Sequence, residues 1–246
     1  MRFPAALRWL SQLYNALFTT RASGIQQEIQ FWDEWFRTKG LSWPEGYTRR
    51  FDPQLELSEY HRSFIDQLPQ EDIKILDVGA GPLTLLGKTH PSKRITIVAT
   101  DVLADQYAQL IQKYAVRPLT PTIFADVERL TEQFAVNSFD FVNAQNCIDH
   151  TQHPLEAIKQ MIAVVKPACY VALRHVENEA ENANYVGLHK WNFTVRDGHL
   201  MLNSKLARVD VAHELAGIAT VTCFKESNWV VARICKHASP AHSSGI

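Results

Sequence analysis

Apolar positions follow two rhythms along this chain. From residue 73 to residue 173, short β-branched runs alternate with stretches of helical spacing. Ile73–Gly81, Ile95–Asp101, Pro121–Asp126, Ser138–Asn146 and Cys169–Leu173 read as buried strands, and the first three stop at an acid: Asp77, Asp101 and Asp126. Between them, Asp105–Tyr114 and the stripe Leu155, Ile158, Met161, Ile162 and Val165 have helical periodicity. Pro82–Gly87 reads as the first turns of another helix, with proline in its tolerated early position. Strand alternating with helix predicts a parallel sheet covered on both faces, with ligand groups gathered at the carboxyl ends of the strands.

On either side the rhythm changes. Apolar residues at Phe3, Leu7, Leu10, Leu13, Tyr14, Leu17 and Phe18 predict a helix in Met1–Thr20. Gln26–Lys39 continues as a helix stopped by Gly40, Leu41–Tyr47 reads as a loop, and Leu57–Leu68 is a third helix ended by Pro69. Residues 1–70 are thus expected to form a helical lid or substrate cap, and residues 71–246 the ligand-binding domain. Past residue 190, Asp197-Gly198 between two alternating runs predicts a small β-hairpin insertion. A helix at Asp210–Ala216 and a strand pair, Ile218–Phe224 with Trp229–Cys235, follow, the pair closing the sheet edge antiparallel. The tail His237–Ile246 is small, polar and expected to fray.

Composition narrows the class. With 46% hydrophobic and 21% charged residues the chain is an ordinary globular protein, and no apolar run is long enough for a bilayer, so a cytoplasmic protein is expected. A net charge of −1 argues against a nucleic-acid partner, which a basic face would have to hold. The four cysteines form no Cys-x-x-Cys pair and read as buried thiols. Two readings stay open for the first helix: a lid on this protein's own core, or a helix for a membrane surface or for targeting. Two also stay open for Phe31, Trp32, Trp35, Phe36, Trp43 and Tyr47: core packing, or the aromatic roof of a pocket for a flat ligand or sugar.

The chemistry centres on Asp77-Val78-Gly79-Ala80-Gly81. Two glycines spaced by one let the backbone turn sharply with a ligand against it. A dinucleotide fingerprint wants a third small residue where Thr84 stands. A carboxylate at Asp77 would repel a pyrophosphate and attract a cation. Asp101, about twenty residues past the turn, suits ribose hydroxyls. A ligand with a cation and a nucleoside but no phosphate is S-adenosylmethionine, with Asp126 near the adenine edge.

On these residues the chain resembles the class I S-adenosylmethionine-dependent methyltransferases over Ile73–Leu173. Asp77–Gly81 is similar to their first motif, and Asp101 and Asp126 to their second and third acids. The resemblance implies a Rossmann-like, doubly wound seven-stranded sheet with a C-terminal antiparallel hairpin. It implies a cofactor cradle of Asp77, Gly79, Ala80, Gly81, Asp101, Val102, Asp126, Val127 and Asn143, and in-line methyl transfer from the sulfonium.

Asn146–Pro154 resembles the family's segment after the fourth strand, and Arg174–Asn192 is similar to bacterial methyltransferases of polysaccharide and surface-glycan assembly. The expected reaction is O-methylation of a small molecule such as a sugar or oligosaccharide. His150 is the first candidate for general base, since methylating a hydroxyl requires its proton to leave. Asp149, Glu177 and His175 are the other catalytic candidates. Asp149, Glu177 and Asn178 are also candidates for holding Mg²⁺ over two hydroxyls. The bland alternative is that Asp149 and Glu177 cap loop backbone and that His175 and His189 are surface histidines. The rival functions are a nucleic-acid or protein methyltransferase, and a non-catalytic scaffold with the same fold.

Overall fold

The computed structural model describes residues 5–18 and 20–238. Of the tail expected to fray, His237–Ile246, His237 N donates to the Ile218 carbonyl, and residues 239–246, like the first apolar position, Phe3, lie outside the described residues. Four helices lead: α1 (Ala5–Phe18), α2 (Arg21–Thr38), α3 (Pro44–Arg50) and α4 (Glu59–Ile65). Strands β1 (Asp72–Val78) and β2 (Arg94–Asp101) follow, then helix α5 (Ala104–Lys113), β3 (Thr122–Phe124), β4 (Phe139–Gln145), helix α6 (Pro154–Val164) and β5 (Val165–Val176). After helix α7 (Glu179–Asn182) come β6 (Asn192–Arg196), β7 (His199–Asn203), β8 (Arg208–Asp210), helix α8 (Val211–Leu215), β9 (Ala219–Glu226) and β10 (Trp229–Lys236).

Among the described residues the strands form a seven-stranded sheet in the order β3-β2-β1-β4-β5-β10-β9 and a separate sheet β6-β7-β8. The pairs from β3 to β5 are parallel, and β10 runs antiparallel to both β5 and β9. This is the Rossmann-like arrangement expected, with the C-terminal hairpin inserted at the edge. Its central strands are buried on both faces: β4 has six buried residues, Phe139–Ala144, before Gln145 reaches the rim. Burial on both faces leaves no alternation in this strand: Phe139, Phe141, Val142 and Ala144 are apolar, and the two buried polar residues, Asp140 and Asn143, are hydrogen-bonded.

Three sequence expectations change. Pro82–Gly87 forms turns and bends, not a helix. Its carbonyls are claimed by side chains: Arg50 donates to the Leu83 carbonyl and Lys88 Nζ to those of Thr84 and Leu86. The Thr84 hydroxyl turns inward to Asp77, and Lys88 N joins the Leu55 carbonyl, so this segment is laced to residues 55–57. Leu41–Tyr47 is only partly a loop, because Pro44 sits in the first turn of α3, where its fixed φ helps a helix start. The hairpin at Asp197-Gly198 forms as expected, both residues having positive φ (50° and 81°), but it gains β8 as a third strand.

The N-terminal helices divide in two. Trp35 and Phe36 of α2 are core residues, packed with Leu83, Leu103, Tyr107 and Leu110. Helix α1 turns its polar side inward. Lys205 Nζ donates to Gln12 Oε1 (2.9 Å), and Asn15 Nδ2 donates to the Asn184 carbonyl (2.9 Å). Trp9, Leu10, Tyr14, Leu17 and Phe18 face outward, so these positions of α1 do not cover the sheet. Among the described residues no helix is long and apolar enough to cross a membrane.

Candidate functional site

A cavity of about 970 Å³ opens at the carboxyl ends of β1, β2 and β4. Its floor is the turn after β1. Gly79 and Gly81 have φ of 62° and 65°, the left-handed region that glycine enters without cost. A Cβ on Gly81 would stand 2.7 Å from Trp32 Cζ2, and one on Gly79 would meet the Cys147 side chain. The turn is therefore pinned between α2 and the segment after β4, and both glycines are needed for packing as well as for conformation.

Asp77 is buried at the end of β1, opposite Asn143 of β4 in register. Asn143 Nδ2 donates to one carboxylate oxygen (2.8 Å) and Thr84 Oγ1 to the other (2.5 Å). Thr84, which departs from the dinucleotide pattern, is thus the partner that ties the next loop to Asp77. Burial raises the Asp77 pKa, and those two hydrogen bonds work against the rise. Asn143 Oδ1 in turn accepts from His61 Nε2 (3.2 Å), and His61 Nδ1 faces the Ser58 hydroxyl (2.9 Å). Burial pulls the His61 pKa down to about 4, so its imidazole is neutral at neutral pH.

Asp101 ends β2. Gly81 N donates to its Oδ2 (3.1 Å) and Leu103 N to its Oδ1 (2.9 Å), which fixes the carboxylate at the pocket wall. Burial pushes its pKa up to about 6 against those bonds. Asp126 accepts from Glu128 N (2.9 Å) and caps a short 3₁₀ segment. Ala80, Val102, Val127 and Asn143 line the same cavity, so the whole expected cofactor set is brought together.

The other rim is built from residues distant in sequence. His150 and His189 line the cavity, with Asp149 buried behind them. His189 Nδ1 lies 2.8 Å from Asp149 Oδ2 and 3.2 Å from His150 Nε2, which is itself 3.4 Å from Asp149 Oδ2. His175 on β5 approaches from inside, its Nδ1 3.8 Å from Asp149 Oδ1. Burial opposes ionisation of Asp149, yet the adjoining His150, His175 and His189 hold its carboxyl well below the usual carboxylate range. For His189, burial is outweighed by the bond to Asp149, and its pKa rises.

Glu177 and Asn178 stand apart. Glu177 is held by Lys225 Nζ at 2.6 Å, and Asn178 has left-handed backbone at the start of α7; neither lines the cavity. The structure therefore does not assemble the donor set Asp149, Glu177 and Asn178. The described residues whose donor atoms do converge are Asp149, His150 and His189. His175 is fully buried, not at the surface, and stacks on Phe193 with ring centroids 4.0 Å apart. Trp32 and Trp43 line the pocket while Trp35 is core, so both readings of the aromatic segment hold in part.

Sequence reasoning missed His61, Arg50 and the part played by His189. The sequence carried a signal for His61: with Phe64, Ile65 and Leu68 it falls on the apolar stripe of one helix. Arg50 lines the pocket, with its guanidinium 5.3 Å from the Trp32 ring centroid and 5.4 Å from that of Trp35.

Residues 76–173 match the family model of a methyltransferase domain. The domain of the citrinin polyketide synthase named CMeT matches with 16% identity and a TM-score of 0.51, over 74% of this chain and 51% of that one. The CurJ carbon methyltransferase (17%, TM-score 0.49; 71% and 51%) and the trans-methyltransferase CalH, solved with S-adenosylhomocysteine (14%, TM-score 0.46; 69% and 52%), are also similar. This chain spans about half the length of those proteins. Comparison with curated proteins gives no match. The likeness is one of fold: the seven-stranded central sheet with flanking helices is the Rossmann-like methyltransferase arrangement, here beside a separate three-stranded sheet.

Proposed function

We propose that this protein methylates a hydroxyl of a small acceptor, a sugar or glycan intermediate, with S-adenosylmethionine as donor. One observation carries the reading: a single cavity is bordered by the Gly79–Gly81 turn with Asp101 on one side and by His150 and His189 on the other. Its volume is of the size that holds a nucleoside-sized ligand with a second small molecule.

S-adenosylmethionine, when bound, supplies an electrophilic methyl carbon on a sulfonium. The chain does the rest. Asp101, fixed by two backbone amides, accepts from the ribose hydroxyls. Asp126 serves the adenine edge, with Val102 and Val127 against the ring. Asp77 braces Thr84 and Asn143 beneath the glycine turn, and its negative charge favours the sulfonium and the ammonium of the donor. His150 takes the acceptor's proton, with Asp149 and His189 holding its place. Within the expected cap, residues 1–70, the cavity is lined by Trp32, Trp43 and Arg50, so this part covers the site.

Carboxylates outnumber arginines along this cavity, which disfavours a polyanion such as nucleic acid. Exposed indole and phenyl faces at Trp43 and Phe31 suit the apolar face of a sugar ring. The test is transfer of labelled methyl to a panel of sugars, nucleotide sugars and oligosaccharides, with RNA and histone alongside. Label on a sugar hydroxyl supports the proposal; label on RNA or histone alone overturns it.

A further inference from the structure

We infer that Asp149, His150 and His189 form a site for a divalent transition-metal ion of the zinc class, open toward the cavity. The binding stands on geometry alone; its catalytic role rests on the methyl-transfer reading above.

The first argument is convergence. Asp149 Oδ2, His150 Nε2 and His189 Nδ1 are separated by 3.4, 2.8 and 3.2 Å. Ligands about 2.1 Å from a tetrahedral zinc ion stand about 3.4 Å from one another. All three atoms thus lie close enough together to reach a single ion.

The second argument is proton count. A carboxylate–imidazole–imidazole relay passes through the two different nitrogens of its middle ring. Here one nitrogen, His189 Nδ1, faces both the carboxylate and the other imidazole. That nitrogen carries at most one proton, so it can satisfy one neighbour as a donor and not both. A cation at the centre satisfies all three.

A third observation is independent of the cluster's own bonds. The His175 side chain is 1% exposed, and neither of its ring nitrogens has a hydrogen-bond partner among the described residues. Its Nδ1 points at Asp149 Oδ1, which also lacks one. Buried polar atoms without partners are costly, and they mark a place where a ligand rearranges or completes a network. Metal-bound carboxylates keep their second oxygen on an outer hydrogen-bond donor. His175 is the donor in reach, and stacking on Phe193 holds its ring in place. It is a positioning residue for Asp149.

Donor chemistry selects the ion. Two imidazoles with one carboxylate suit a divalent transition metal such as zinc, cobalt, nickel or iron, whereas magnesium and calcium prefer oxygen sets. His150 and His189 border the cavity, so the remaining coordination positions face the acceptor. A hydroxyl coordinated there is acidified. Its O–H bond breaks and the proton passes to water in the cavity. The oxygen lone pair forms the new C–O bond, and the C–S electron pair returns to sulfur as the sulfonium becomes a thioether. His150 is then a ligand, and the metal takes over the task of a free base.

The test is titration of the full-length, EDTA-treated protein with Co²⁺, followed by visible absorption, and then displacement by Zn²⁺. One saturable equivalent with the strong d–d bands of a four- or five-coordinate site is expected. His189→Gln and Asp149→Asn should weaken Co²⁺ binding about 100-fold or more, and His175→Ala about 10- to 100-fold with shifted bands. Circular dichroism and S-adenosylhomocysteine affinity verify that each variant is folded, and the exposed His213→Ala is the surface control. No saturable bands at millimolar Co²⁺, or bands unchanged in both His189→Gln and His150→Gln, overturn the inference. Methyl transfer that persists without metal leaves the methyltransferase reading intact and His150 as free base, so the two failures are distinct.

Discussion

The two ends of the cavity are built differently. At the cofactor end the carboxylates are already engaged: Asp77 by Thr84 and Asn143, Asp101 by two backbone amides, Asp126 by Glu128 N. At the histidine end, Asp149 Oδ1 and both nitrogens of His175 have no hydrogen-bond partner among the described residues, and three donor atoms crowd together. The first arrangement is complete as folded and presents preformed acceptors to a ligand. The second is under-satisfied and needs a cation, a proton or an acceptor to complete it. On the methyl-transfer reading proposed above, recognition of the donor belongs to the first end and chemistry to the second.

The largest predicted effect separates them. Asp149→Ala should lower kcat by about 10²- to 10⁴-fold, the range for loss of acid–base or metal assistance. Its affinity for S-adenosylhomocysteine should stay unchanged, and parallel loss of both would erase the distinction. Asp101→Asn should act in reverse, weakening that affinity about 10-fold or more through loss of charged acceptors. The wild-type affinity should also depend on pH. Burial raises Asp101 to about 6, so the carboxylate is ionised above that value and protonated below it. Binding should weaken as pH falls through 6, and the trend should flatten in Asp101→Asn.

Smaller effects test the scaffold of the cofactor end. Gly81→Ala forces a side chain into φ of 65° against Trp32 and should cost about 1–3 kcal/mol of stability, read as a lowered Tm. His61 gives the mildest signal. Its folded pKa, about 4, lies below the ordinary 6.5, so its contribution to stability is present above 6.5 and is lost as pH falls toward 4. Urea unfolding at pH 7 and pH 5 should show this loss in the wild type and a smaller one in His61→Gln.

Legibility in the sequence follows the same division. Asp77–Gly81, Asp101 and Asp126 lie at the ends of contiguous apolar runs, and local pattern places them on one edge of a parallel sheet. The histidine end joins residues 149, 150, 175 and 189, whose meeting depends on β5 and on the chain returning past α7. No local period encodes that meeting, so the sequence pairs Asp149 with Glu177 and Asn178, whereas the fold pairs it with His150 and His189. The Pro82–Gly87 segment misled for another reason: side chains of Arg50 and Lys88 take the carbonyls that a helix would use. The third strand of the small sheet, Arg208–Asp210, is too short to leave a pattern. Trp32 and Trp35, three residues apart on one helix, have opposite fates because only Trp32 reaches the glycine turn.

The most direct measurement is calorimetric titration of S-adenosylhomocysteine into the wild type, Asp101→Asn and Asp149→Asn. Division of labour between the two ends predicts saturable binding to the wild type, unchanged binding to Asp149→Asn and binding weakened about 10-fold or more in Asp101→Asn. No binding to the wild type at millimolar ligand, or equal weakening in both variants, would contradict it.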